Sequence, residues 1–181
     1  MSKNKLSVFI SLILRHKPEE IGITLDEHGW ANVDELIAGI NATGREIDID
    51  ILKDIVATDE KKRYSFNEDM TLIRANQGHS VLVDVELKEA TPPDILYHGT
   101  AWRFIDGIKR DGIKPMSRLY VHLSKDVNTA IKVGERHGDC TVIPIAAEMM
   151  YKDGIKFYLS ENGVWLTKYV DPKYFMKVRK P

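Results

Sequence analysis

The sequence predicts an α+β fold in two lobes, because two kinds of pattern follow one another along its 181 residues. Residues 1–75 hold three helical patterns and then two short strand-like runs. The charged, proline-containing stretch "ELKEATPPD" follows and is typical of a linker. Strand-like runs dominate the remainder, with helical patterns near 101–111 and 126–136, which favours a small, curved, mixed sheet. We therefore expect one lobe over residues 1–88 and another over residues 94–181.

The first helical pattern ends on an arginine and a histidine. Pro18 must stop this helix near Lys17, so that Arg15 and His16 lie in its last turn. Cations at a helix C-terminus interact favourably with the helix dipole, and capping alone would account for the pair. The apolar face of the helix is predicted to be formed by Leu6, Phe9, Ile10, Ile13 and Leu14.

The next elements complete the first lobe. Asn32 is placed to cap a second helix, with Glu35 three residues further on and Gly44 beyond the helix end. A third helix is predicted over residues 48–59, and the strands "KKRYSF" and "MTLIRA" flank a polar turn. Three helices and a two-stranded wing are the order of a winged-helix module, although other small α+β units share that order.

Composition and charge exclude several classes of protein. No apolar run is long enough to span a membrane and no signal peptide is visible, so we expect a cytoplasmic protein without membrane contact. Cys140 is the one cysteine, which rules out an internal disulfide and a thiolate metal cluster. Residues 1–70 have a net charge of -5 and residues 71–181 a net charge of +4. Strong binding of duplex DNA is therefore not expected, and any nucleic acid should be held at a few points.

Known catalytic motifs are missing from the sequence. It contains no P-loop, no GxGxxG, no HExxH and no histidines at zinc spacing, so we predict no metal site. No serine or cysteine lies in a nucleophile elbow. An enzyme with this sequence would work through arginine and histidine side chains.

Three polar motifs are candidates for ligand contacts. Along "SRLYVHLSKD", read as a strand, Arg118, Tyr120, His122 and Ser124 share one face, and this set suits phosphate and ribose better than an ordinary solvated face does. In "YHGT", Gly99 allows close backbone approach to a ligand. Thr100 is placed to cap the following helix and leave its amides to an anion. The third motif, "RANQGHS", is a polar loop or part of a site.

Five motifs occurring together resemble the RNA 2'-phosphotransferases, the Tpt1/KptA family. They span most of the chain, and their joint occurrence is much more specific than any one of them: "LRHKPEEIGITLDEHGW", "KKRYSF", "IRANQGHS", "LYHGT" and "IKPMSRLYVHLS". The resemblance implies an amino-terminal winged-helix lobe that binds RNA and a carboxy-terminal ADP-ribosyltransferase-like lobe that binds NAD. One departure is Tyr120, where members more often have histidine.

The resemblance also implies a reaction and a set of residues. An internal RNA 2'-phosphate, as at a tRNA splice junction, would be transferred to NAD through an ADP-ribosylated intermediate, without a metal. The products would be RNA with a 2'-hydroxyl, nicotinamide and ADP-ribose 1'',2''-cyclic phosphate. We expect a monomer. The essential residues map to Arg15, His16, Arg63 and Arg118, and the NAD pocket maps to His98, Gly99, Thr100, His122 and Ser124.

Two roles are open for His16, and two other classes of protein are open beside the RNA 2'-phosphotransferases. His16 would either donate a hydrogen bond to the phosphate or protonate the leaving RNA oxygen. An ADP-ribosyltransferase acting on a terminal phosphate of nucleic acid, or on protein, would share the NAD lobe but would not need Arg15, His16 and Arg63. The protein-modifying type relies on a late glutamate, and only Glu161 lies in that region. A non-catalytic winged-helix regulator is the third class.

Overall fold

The computed structural model describes residues 3–177 and has a mixed α+β architecture, as predicted. The chain divides into two compact units, Met1–Glu86 and Leu87–Pro181, each with its own apolar core. Within the described residues, no helix has both the length and the apolar character that a membrane crossing requires. All strand pairings between the named strands are antiparallel.

The first unit contains three helices and one three-stranded sheet. Its elements in chain order are α1 (Lys3–Arg15), a 3-10 helix (Pro18–Ile21), β1 (Trp30–Asn32), α2 (Val33–Ala42), α3 (Ile49–Thr58), β2 (Tyr64–Phe66) and β3 (Leu72–Ala75). The sheet has the order β1-β3-β2, so that the two predicted wing strands are neighbours. The strand β1 was not predicted, since three residues are too few to show an alternating pattern.

Local sequence explains where these helices begin and end. The five apolar residues predicted for the inner face of α1 are all buried in the core of the unit. The Asn32 side chain accepts a hydrogen bond from the Glu35 amide at 3.1 Å, which confirms the predicted N-cap of α2. Asp48 caps α3 in the same way, through the Ile51 amide at 2.8 Å. Pro18 begins the 3-10 helix, and α1 ends at Arg15.

The second unit contains short helices and two antiparallel sheets. Its elements are β4 (Lys88–Glu89), β5 (Ile95–Ala101), α4 (Ile105–Asp111), β6 (Val121–Leu123), α5 (Val127–Gly134), β7 (Cys140–Ala146), α6 (Ala147–Lys152), β8 (Tyr158–Leu159) and β9 (Trp165–Thr167). One sheet has the order β4-β8-β9-β6 and the other pairs β5 with β7. The expectation of a mixed sheet was wrong, because alternation along a strand reports which face is buried and not the direction of the neighbouring strand.

The strand β5 packs closely under the helix α5. Gly99 lies opposite Val142 in the β5/β7 pair, and a Cβ at Gly99 would lie 2.6 Å from the carbonyl carbon of Ala130 and nearer still to its oxygen. The backbone of α5 therefore occupies the space that a side chain at this position would need. The glycine in "YHGT" is accordingly required by packing of the unit itself.

Two further expectations for this unit were wrong. Thr100 caps no helix, because the strand pairing of β5 extends past it to Ala101 and the following 3-10 helix begins only at Trp102. Arg118 and Tyr120 precede the strand instead of lying in it. The reason is a turn in which Met116 has φ of 57° and the Arg118 amide bonds the Pro115 carbonyl at 3.1 Å.

Candidate active site

A basic cluster in the first unit is centred on the end of α1. Arg15 is the last residue of that helix, and the amide of His16 still donates to the Leu12 carbonyl at 2.9 Å. Both residues are half-buried. Because Pro18 prevents a further helical turn, the chain changes direction directly after the pair. Helix and proline together fix the place at which the two side chains leave the backbone.

The loop from Asn76 to Ser80, here called the connecting loop, follows β3 and hydrogen-bonds both to the end of α1 and to Arg63, the residue before β2. The Asn76 amide donates to the Arg63 carbonyl at 2.8 Å, and the Ser80 amide donates to the Arg15 carbonyl at 3.0 Å. The Ser80 hydroxyl lies 2.9 Å from Nδ1 of His16. Three of the four residues proposed for phosphate chemistry are thus tied to one short loop within one unit.

Arg63 is held by a carboxylate of its own unit. Its Nη1 donates to Oδ1 of Asp59, and its amide donates to Oδ2 of the same carboxylate at 2.6 Å. The Asp59 side chain is 6% exposed and the Arg63 side chain 31% exposed. A guanidinium carries five N–H donors in a fixed plane, so that one bond to a buried carboxylate orients the others.

His79, inside the connecting loop, reports the positive electrostatic environment of the cluster. It is 2% exposed, and burial lowers its pKa to about 4, with further lowering by the positive charges of Arg15, His16 and Arg74. Its Nε2 has no hydrogen-bond partner among the described residues. The ring is therefore neutral at physiological pH, and the region around the helix end favours an anion.

A second cluster lies in the second unit, where β5 and β6 meet through a bridge between Tyr97 and Ser124. Nδ1 of His98 donates to the carbonyl of His122 at 3.2 Å. Burial lowers the pKa of His98, and the charges of His137 and Arg118 lower it further. The hydrogen bond to the His122 carbonyl raises it, but by less than burial lowers it. A neutral His98 that carries its proton on Nδ1 presents Nε2 as a hydrogen-bond acceptor.

Arg118 belongs to the same cluster. Its Nη1 lies 3.4 Å from Nδ1 of His122, and because a guanidinium only donates, that nitrogen accepts and the His122 proton is on Nε2. Burial and the positive charge of Arg136 lower the pKa of Arg118. The turn at Met116 places Arg118 beside β6 without making it part of the strand.

Thr100 and Ser124, which are also predicted to line the pocket, each lie two positions after one of these histidines. Thr100 is buried in β5 opposite Thr141, and Ser124 exchanges backbone hydrogen bonds with Tyr97 at 2.8 and 2.9 Å. Tyr120 packs its ring edge-on against Tyr158 with centroids 5.6 Å apart, and the ammonium of Lys168 lies 3.9 Å from its ring centroid. The aromatic residue that departs from the family pattern is therefore held by contacts within its own unit.

Sequence reasoning missed the residues that support these side chains. Asp59 carried no signal except its place four residues before Arg63, and Ser80 was noted only as part of a polar loop. Arg136, whose charge acts on Arg118, lies in a 3-10 helix, Glu135–His137, and stands in no motif. Within residues 3–177, no group of three or more histidine, cysteine, aspartate or glutamate side chains is placed to hold a metal ion.

The comparisons with known proteins agree with the motifs. The family model described as RNA 2'-phosphotransferase, Tpt1 / KptA family matches residues 1–169. The chain is 58% identical over 171 residues to a protein of Fusobacterium nucleatum named "Probable RNA 2'-phosphotransferase", covering 94% of this chain and 96% of that protein. Proteins of the same name from Flavobacterium johnsoniae and Acaryochloris marina are 52% and 49% identical, covering 93% and 96% of each chain.

Clustered arginine and histidine side chains in an α+β protein are typical of an enzyme that binds phosphate groups. The match over nearly the whole chain makes the assignment specific: the chain belongs to the RNA 2'-phosphotransferase, Tpt1 / KptA family.

Proposed function

We propose that this protein removes an internal 2'-phosphate from RNA by transferring it to NAD. In the first step a phosphate oxygen bonds to the nicotinamide ribose carbon and the bond to nicotinamide breaks. In the second step the ribose 2''-hydroxyl bonds to phosphorus, and the bond to the RNA 2'-oxygen breaks as that oxygen takes up a proton. The products are 2'-hydroxyl RNA, nicotinamide and ADP-ribose 1'',2''-cyclic phosphate. Family membership supports the substrate class.

The observation that carries this proposal is the basic cluster of the first unit. Arg15, His16 and Arg63 are brought to one loop by hydrogen bonds of 2.8 to 3.0 Å, although 47 residues separate His16 from Arg63. Two of these bonds hold the backbones from which Arg15 and Arg63 extend, and the third holds the ring of His16. Guanidinium groups bind phosphate oxygens in pairs of parallel hydrogen bonds, so that this cluster suits a dianionic phosphate monoester.

The second cluster fits a ribose and diphosphate ligand such as NAD. The acceptor Nε2 of a neutral His98 suits a ribose hydroxyl, and Arg118 supplies positive charge nearby. We assign ligand contacts to His98, Gly99, Thr100, His122 and Ser124, with Gly99 contributing backbone only. When bound, NAD supplies the electrophilic ribose carbon and a neutral leaving group.

The roles of the proposed catalytic residues follow from the charge that develops. We assign Arg15, Arg63 and Arg118 to the transferred phosphate, where guanidinium groups stabilise the oxygens during the second step. The phosphate is already an anion and needs no base, so that the first step depends mainly on alignment. His16 either donates to the phosphate or protonates the leaving RNA oxygen. The first unit is proposed to be the winged-helix lobe, which binds RNA, and the second the ADP-ribosyltransferase-like lobe.

The direct test uses an oligonucleotide with a radiolabelled internal 2'-phosphate, NAD and EDTA. We expect the label to move into ADP-ribose 1'',2''-cyclic phosphate. Retention of the label on RNA, while a known family enzyme acts alongside, would overturn the proposal. Arg118→Ala should accumulate ADP-ribosylated RNA or lose both steps. The matched control is Arg110→Ala, an exposed arginine of the same unit that pairs with Asp111, and it should leave the rate unchanged.

A further inference from the structure

The connecting loop fixes the spacing between two of the basic residues. Its first amide binds the carbonyl of Arg63 and its last amide binds the carbonyl of Arg15. Four residue steps reach about 14 Å when extended, and Gly78, with φ of 88°, makes the loop turn instead. The separation of the two arginine backbones is therefore set by a segment too short to vary much.

Ser80 contacts both members of the arginine–histidine pair. Its amide donates to the Arg15 carbonyl at 3.0 Å and its hydroxyl lies 2.9 Å from Nδ1 of His16. The preceding residue, His79, is buried, and a Cβ on Gly29 would lie 3.4 Å from its Nε2. Burial of the neighbouring ring holds the backbone from which the Ser80 hydroxyl extends.

We propose that Ser80 is a positioning residue for His16, whose ring it orients through Nδ1 so that the phosphate chemistry is performed by Nε2. This inference rests on the proposed function for its catalytic meaning. The proposal requires that the hydroxyl donates to Nδ1, so that the neutral ring carries its proton on Nε2; in the opposite tautomer Nδ1 would donate to the hydroxyl and Nε2 would carry no proton. When the ring is protonated, Nδ1 donates to the hydroxyl and Nε2 again carries a proton. Both roles considered for His16 need a proton on that nitrogen.

Three variants test the proposal. Ser80→Ala removes the hydroxyl, and Ser80→Thr keeps it. The control Thr58→Ala removes a hydroxyl that bonds a carbonyl of its own helix, that of Asp54, at 2.6 Å. The first measurement is the pair of ¹⁵N chemical shifts of the His16 ring, without substrate. The second is kcat with 2'-phosphorylated RNA and NAD.

We expect the wild type, Ser80→Thr and the control to show one dominant tautomer with the proton on Nε2. Ser80→Ala should give averaged ring shifts and a kcat lower by between about 10-fold and 100-fold, the cost of a misplaced catalytic group. Unchanged ring shifts in Ser80→Ala would overturn the proposal, and so would changed shifts with an unchanged kcat. If Ser80→Ala unfolds, Ser80→Cys, with its weaker thiol, takes its place and should shift both readouts in the same direction.

The two readouts separate failure of the inference from failure of the proposed function. A wild-type protein that leaves the 2'-phosphate on RNA contradicts the proposed function and the catalytic role of Ser80 together. The ring shifts still decide in that case whether Ser80 orients His16.

Discussion

Replacing Gly99 by alanine tests the packing of β5 against α5. The added Cβ would lie 2.6 Å from the carbonyl carbon of Ala130 and 3.0 Å from the amide nitrogen of Gly134. Carbon atoms in favourable contact are about 3.5–4.0 Å apart, and the Ala130 carbonyl oxygen lies nearer still to the added Cβ, so that α5 would have to move by more than about 1 Å. Both groups are helix backbone and cannot rotate away. Overpacking costs about 1–3 kcal/mol, and we expect the upper end of that range, about 3 kcal/mol of unfolding free energy.

The assay is urea unfolding followed by tryptophan fluorescence, without NAD or RNA. With a slope of about 2 kcal/mol per molar urea, a loss of about 3 kcal/mol lowers the midpoint by about 1.5 M. The control is Gly107→Ala, because a Cβ at Gly107 in α4 meets nothing within 4 Å. That change should stabilise by about 0.5–1 kcal/mol. An unchanged midpoint for Gly99→Ala would refute the described packing and favour a glycine kept for ligand approach alone.

Three further predictions concern stability. The pKa of His79 is about 4 in the folded state, against 6.5 for an unperturbed histidine. The stability that its neutral ring contributes is therefore complete above pH 6.5 and is lost as the pH falls toward 4. Between pH 7 and pH 4, calorimetry should show that the wild type loses about 3 kcal/mol more unfolding free energy than His79→Gln. Asn32→Ala, which removes the bond to the Glu35 amide, should cost about 1 kcal/mol in urea unfolding, and an equal midpoint would contradict its capping role. Gly112 has φ of +77°, and Gly112→Ala would place a Cβ 2.5 Å from the Val170 carbonyl oxygen. This variant should lose about 2 kcal/mol or more of unfolding free energy, which lowers the melting temperature by several degrees.

Helices were predictable because their signals are local. The apolar spacing of α1, the proline after it and the cap at Asn32 each act within a few residues. Most strands were predicted, but β1 was not, β4 lies in the stretch read as a linker, and the ends of β5 and β6 were wrong. The extension of β5 to Ala101 depends on the pairing of that residue with Cys140, which lies 39 positions further along the chain.

The sequence predicts the residues proposed to contact the ligands but not the residues that hold them in place. Arg15, His16, Arg63 and Arg118 stand in recognisable motifs, whereas Asp59 and Ser80 matter through contacts that a single sequence does not reveal. Gly99 shows the same limit, because the sequence does not distinguish a glycine that lets a ligand approach from a glycine that lets a helix pack closely. Its packing reason is visible only from the position of Ala130.

The most direct test of the central claim is a crystal structure of the protein bound to a short RNA that carries an internal 2'-phosphate. The account predicts that guanidinium nitrogens of Arg15, Arg63 and Arg118 each lie about 2.7–2.9 Å from oxygens of that one phosphate. A phosphate contacted by Arg15 and Arg63 but not by Arg118, or bound away from all three, would contradict it.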